Sequence, residues 1–165
     1  MANTKKVIVR RAVPDDSANI LRLVEALAHY EKLDPPSPEA QARLIADAFA
    51  PKPRFDVFLA ELDSEVVGYA FLLETYSTFL ALPTLFLEDI FVMPDSRGAG
   101  AGYELFRQCV AEADRRGCGR MEWMVLDWNE LAKRFYRRLG ATHLDNWETY
   151  RLTRDQFAGI LTAKS

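Results

Sequence analysis

The sequence predicts a mixed α/β fold, with helices packed around one sheet. Three observations carry this. Short β-branched and apolar runs alternate with segments of helical period, no unit repeats along the chain, and 165 residues suit a single core. Hydrophobic residues make up 49% and charged residues 27%, close to the average for soluble globular proteins and far from disordered or collagen-like chains.

Residues 7–10, Val-Ile-Val-Arg, read as the first strand. Pro14, Asp15, Asp16 and Ser17 open a helix whose apolar Ile20, Leu21, Val24, Leu27 and Ala28 recur at helical spacing as far as Tyr30. Residues 34–38 break it. Ser37 then caps a second helix with Pro38 at its first position, and that helix runs to about Phe49. Strands follow at 55–62 and 65–75, joined by a tight turn at Asp63 and Ser64, and a further strand at 85–92 follows a loop at 77–83. Pro94 ends that strand, because it lacks a backbone donor and pushes Met93 away from helical geometry. A glycine-rich run leads into a helix through Arg116, which Gly117 and Gly119 close before a strand at 121–126. A helix at 130–139 closed by Gly140, two strands at 142–144 and 148–153, and a tail helix at 156–161 complete the chain. The expected order is βααβββαβαββ, one domain over residues 1–165.

Charge and cysteine usage narrow the function. Twenty-one basic against 24 acidic residues leave a net charge of -3, which argues against a general nucleic-acid binder. The longest apolar stretch, 66–73, is less than half of the ~20 residues needed to cross a bilayer. Residues 1–7 show no signal-peptide core, so a cytoplasmic location without membrane partners is expected. Cys109 and Cys118 make neither a disulfide framework nor a metal spacing, and no metal site is expected.

The most informative segment is Arg97, Gly98, Ala99, Gly100, Ala101 and Gly102, set between a strand and a helix. Small residues allow a sharp turn, and the helix start supplies unsatisfied N–H groups and a positive dipole end. The run is either a tight connection or an anion seat suited to a pyrophosphate. Tyr103 and Glu104 follow where a P-loop needs Lys and Ser or Thr, and the glycine spacing is not that of a dinucleotide-binding turn.

This run resembles the R/Q-x-x-G-x-G/A loop of the GNAT superfamily of N-acetyltransferases. The likeness extends to Leu87-Glu88-Asp89-Ile90-Phe91-Val92, to Trp128-Asn129-Glu130 and to Phe135-Tyr136-Arg137-Arg138-Leu139-Gly140-Ala141, and the combination is most similar to the spermidine/spermine (diamine) branch. The resemblance implies a central, mostly antiparallel sheet splayed in the middle, acetyl-CoA as co-substrate, and direct transfer to a primary amine of a small cationic molecule. It implies that the backbone of Ile90, Phe91 and Val92 pairs with the pantetheine arm. Arg97 through Gly102 would hold the pyrophosphate, and Asn129 would reach the arm from the far side. It also implies a homodimer. A protein-amine acetyltransferase and a catalytically silent, coenzyme-binding regulatory module are the competing readings.

The chemistry needs a group to take a proton from the amine and one to give a proton to the leaving thiolate. By spacing alone Tyr136 reads as a helix-face aromatic packing beside Phe135; the resemblance makes it instead the acid facing the coenzyme sulfur. Glu88, a carboxylate in an apolar strand, is either the start of a proton path or a structural acid paired with an arginine. Asp89, on the opposite face, is expected to make a structural bond. Tyr30, Glu31 and Glu148 match acceptor-site positions of the branch and otherwise read as surface residues. The stretch 79–84 and Glu122 with Trp123 depart from the branch pattern, which leaves the amine open among polyamines, diamines, thialysine and amino-acid side chains.

Overall fold

The computed structural model describes residues 6–163. The reading of residues 1–5 as lacking an export signal lies outside that range. The chain forms two compact units, Met1–Met124 and Val125–Ser165.

The first unit holds β1 (Val7–Arg11), α1 (Ser17–Glu31), α2 (Pro38–Ala48), β2 (Asp56–Leu62), β3 (Glu65–Ser77), β4 (Leu82–Val92), α3 (Ala101–Arg115) and β5 (Arg120–Trp123). The sheet runs β1-β2-β3-β4-β5 in chain order, antiparallel except for the parallel β4–β5 pair. This is the mixed, mostly antiparallel sheet that the resemblance implies. Local signals behave as expected: Ser37 Oγ accepts the Ala40 amide at 3.3 Å with Pro38 behind it. Asp63 and Ser64 both take positive φ, 52° and 69°, in a two-residue turn whose twist suits the hairpin.

One face of the sheet buries Val57, Leu59, Tyr69, Phe71 and Phe91 against Ile20 and Leu23 of α1 and Ala48 of α2. The α3 helix packs against β1 to β4 with Leu105 and Cys109 fully buried. Cys109 is a core residue, its thiol pushed up to about 12 by burial. Polar anchoring comes from two clusters. Arg10 grips both oxygens of buried Asp16 at 2.7 and 2.8 Å and Glu61 at 2.6 Å. Glu112, only 4% exposed, receives Arg11, Arg115 and Arg116, while Asp56 binds Arg11 and Arg116. Arg116 at the end of α3 is therefore tied through these carboxylates to Arg11 of β1.

The second unit carries α4 (Glu130–Arg138) and α5 (Arg154–Thr162). Two expectations are corrected there: residues 142–144 and 148–153 form no strand. The unit contains no strand among its described residues to pair with, and two such short segments alone do not hold a ladder. Trp147 and Tyr150 accordingly stand 75% and 87% exposed. Boundaries shift elsewhere. β5 stops at Trp123 instead of residue 126, and β4 begins at Leu82, where it already pairs with Ser77 of β3; Pro83 is tolerated because it precedes the pairing with β5 that starts at Thr84.

Candidate active site

The sheet opens where β5 ends. Pairing between β4 and β5 runs from Thr84 with Arg120 to Leu87 with Trp123, whereas β4 continues to Val92. Residues 88–92 therefore keep β3 on one edge and no strand on the other among the described residues. Met93 donates its amide to Val67 O at 2.9 Å. Successive peptide groups of a strand point to opposite edges, so Phe91 faces β3 while Ile90 and Val92 turn their N–H and C=O groups to the open edge. Of the three residues predicted to meet an extended ligand, two present their backbone there and Phe91 supplies core packing.

A single 3-10 turn, Pro94–Ser96, separates the open edge from the glycine loop. Gly98 and Gly100 adopt φ of 84° and 90°, a left-handed geometry that disfavours residues bearing a Cβ. Gly100 caps α3 without any side-chain hydrogen bond, and the first bond of the helix is Glu104 N–H to Gly100 O at 3.0 Å. The amides of Ala101, Gly102 and Tyr103 thus have no intrahelical acceptor. Those of Gly98, Ala99 and Gly100 meet no backbone carbonyl among the described residues. Six consecutive amides at the positive end of a 15-residue helix make a seat for a phosphate oxyanion.

Arg97 immediately precedes these amides in the chain. Its amide donates to Pro94 O at 3.2 Å and its Nε to Val92 O at 3.0 Å. Its guanidinium carbon stands 4.7 Å from the Tyr30 ring centroid and 5.7 Å from that of Phe91, with the two rings 6.1 Å apart. This contact between the loop and α1 has no signature in the sequence, since the partners are 67 positions apart.

The acids gather on the same unit. A bulge breaks the β3–β4 register: Phe71 pairs with Asp89 and Leu72 with Leu87, leaving Glu88 as the extra residue. Glu88 is exposed. Asp89 shares the core face with Tyr69 and Phe71, and the fully buried Tyr69 hydroxyl donates to Asp89 Oδ2 at 3.4 Å, the structural bond expected. Burial, reinforced by the charges of Glu88 and Glu31, pushes the Asp89 carboxyl up to about 6. Burial also raises Glu31. Asp89 is therefore more than structural in its electrostatics, which strand alternation alone does not reveal.

Asn129, Tyr136 and Glu148 belong to the second unit. Asn129 caps α4, its Oδ1 accepting the Ala132 amide at 3.2 Å. Tyr136 lies half-buried on α4, its ring edge-on to Phe135 at 5.5 Å. Glu148 is exposed and accepts the Tyr150 hydroxyl at 2.7 Å. No group of three or more metal-ligating side chains forms among the described residues, and no helix among them is long and apolar enough to cross a membrane. A cavity of about 300 Å³ beside Arg11, Phe49, Phe55 and Asp56 contains none of the predicted site residues.

Comparison with known proteins gives a consistent picture. Residues 21–141 match the Acetyltransferase (GNAT) family. A thialysine N-epsilon-acetyltransferase of Bos taurus is 36% identical over 156 residues, 88% of this chain and 91% of the relative. Spermidine/spermine N(1)-acetyltransferase-like protein 1 of Homo sapiens is 28% identical over 158 residues, covering 90% of this chain and 23% of that protein. Among solved structures, an aminoglycoside N-acetyltransferase in complex with CoA superposes with a TM-score of 0.73 at 19% identity, over 92% of this chain and 98% of the other.

Proposed function

Because the chain belongs to the GNAT acetyltransferase family, we propose that it transfers acetyl from acetyl-CoA directly to a primary amine of a small cationic acceptor, a diamine, polyamine or thialysine-like molecule. The observation that carries this is the open edge of β4 at Ile90 and Val92, followed after the short turn at Pro94–Ser96 by six amides without a backbone acceptor at the start of α3. An extended arm ending in a diphosphate matches that sequence of donors and acceptors. The acceptor class is supported by the thialysine N-epsilon-acetyltransferase relative and by the acids Glu31, Glu88 and Asp89, whose negative field favours a cation.

In this reading Ile90 and Val92 pair with the pantetheine arm, and one open-edge N–H polarises the thioester carbonyl and holds the tetrahedral oxyanion. The loop from Arg97 to Gly102 binds the diphosphate. An alkyl ammonium with pKa near ~10.4 costs about 4–5 kcal/mol to neutralise at pH ~7. Glu88 receives that proton, with Asp89 beside it as a carboxyl that titrates close to neutrality. The amine attacks, the carbon–sulfur bond breaks, Tyr136 gives its phenolic proton to the departing thiolate, and the second proton shed by the new amide nitrogen returns through solvent to the phenolate. Asn129 contacts the arm, and Tyr30, Glu31 and Glu148 contribute to amine recognition. The enzyme is further proposed to act in the cytoplasm as a homodimer, with residues 1–165 forming one acetyltransferase domain.

The test is thiol release from acetyl-CoA against a panel of thialysine, spermidine, putrescine, ornithine and a lysine-containing peptide, with calorimetry of coenzyme A binding alongside. Turnover with the small amines is expected. Turnover with the peptide alone redirects the proposal to protein amines, and binding without any turnover supports the regulatory module instead.

A further inference from the structure

The side chain of Arg97 is held at three points before any ligand is considered: Nε on Val92 O, and the guanidinium plane over Tyr30 and within reach of Phe91. A guanidinium carries five N–H donors in a rigid fork. With Nε spent, its terminal nitrogens make no hydrogen bond among the described residues, which leaves the bidentate end of the fork to an anion. A free arginine side chain is among the costliest to immobilise. Here Tyr30 and Phe91 have already immobilised it, and Phe91 is fixed in the core. Tyr30 is the partner whose identity is set on a separate element, α1.

We propose that Tyr30 is a positioning residue for the donor substrate, holding Arg97 as a pre-formed diphosphate clamp, in addition to any contact with the amine. This rests on the reading of residues 97–102 as the diphosphate seat of acetyl-CoA. It predicts that a substitution on α1, outside the loop, weakens binding of the nucleotide end of the coenzyme. The effect belongs to the ring, because the attraction comes from the π face, so Phe replaces Tyr and an aliphatic residue of similar reach does not.

Coenzyme A binding is measured by calorimetry, and kcat and KM by thiol release with acetyl-CoA and with S-acetylpantetheine, which lacks the diphosphate. Tyr30→Leu is expected to weaken coenzyme A about five- to tenfold, a typical cation–π contribution, and to raise the KM of acetyl-CoA by more than that of S-acetylpantetheine. Tyr30→Phe restores coenzyme affinity. In an Arg97→Met background, Tyr30→Leu has no further effect on coenzyme A. Should Tyr30→Leu not fold, Tyr30→Met carries the same comparison. Equal coenzyme A affinity in wild type and Tyr30→Leu, or equal losses for both acetyl donors, overturns the inference while the functional reading stands. Absence of coenzyme A binding to the wild type overturns the functional reading itself.

Discussion

Replacing Asp89 with asparagine tests both the electrostatics of the site and its purpose. The carboxyl is raised from 3.8 to about 6 by burial first and by Glu88 and Glu31 second. A folded-state value above the unfolded one means that the fold binds this proton more tightly than the unfolded chain does. The associated stability is complete below pH 3.8 and is lost as pH rises through about 6, so at neutral pH the ionised group weighs against the fold. At about 1.36 kcal/mol per pH unit the difference amounts to about 3 kcal/mol, an upper bound for a side chain that keeps some solvent contact. The carboxamide introduced by the substitution retains an oxygen for the Tyr69 hydroxyl and carries no charge. Asp89→Asn is therefore expected to be more stable than wild type by about 1–2 kcal/mol at pH ~7.5 and nearly equal to it at pH ~3. Urea unfolding at the two values, followed by tryptophan fluorescence, reads this as a rise in midpoint at unchanged slope. The same variant is expected to lower kcat/KM with the amine and to displace the acid limb of its pH profile. A variant no more stable than wild type at the higher pH would refute the electrostatic reasoning. An unaltered pH profile would remove Asp89 from the proton path.

Tyr136→Phe is expected to reduce kcat about a hundredfold with coenzyme A affinity preserved, since general acid catalysis is worth about 10²–10⁴; full retention of rate at every pH removes Tyr136 as the acid. Gly100→Ala forces a Cβ into a φ of 90° and should cost about 1–2 kcal/mol of stability together with coenzyme affinity, read by thermal unfolding with and without coenzyme A. Hydrogen bonds from Arg115 lead, over the opposing cost of burial, in holding the Glu112 carboxyl down to about 2, with Arg116 adding to them. Its folded-state value lies below the usual 4.5, so its stabilisation, up to about 3 kcal/mol, is present above pH ~4.5 and lost as pH falls toward ~2. Glu112→Gln should flatten that part of the stability–pH curve. Glu88→Gln should raise the pH of half-maximal rate, and an unchanged profile argues against a proton-accepting role.

Much of the fold is legible locally. Ser37 with Pro38, Asp63 with Ser64, and Met93 with Pro94 mark boundaries that the backbone obeys, because capping, left-handed turns and the missing proline donor act over a few residues. The strands expected at 142–144 and 148–153 fail for the opposite reason. Alternation describes a segment suited to a sheet, whereas a strand exists only where another strand completes its ladder. Glu88 is a similar case: an extra residue in β4 is invisible until β3 lies beside it.

The sequence by itself determined the succession of elements in the first unit, the glycine turn ahead of α3 and, through the motifs from Leu87 to Val92 and Arg97 to Gly102, membership of a family. Only the tertiary structure decided that β4 continues past Leu87 with no second strand beside it among the described residues, that Asp89 and not Glu88 is the partly buried acid, and that Arg97 lies over Tyr30. Turns and caps arise from torsion and from hydrogen bonds between near neighbours. Edges, burial and cation–π contacts are relations between residues brought together from distant parts of the chain, and the energies that set them come into being only when the chain has folded.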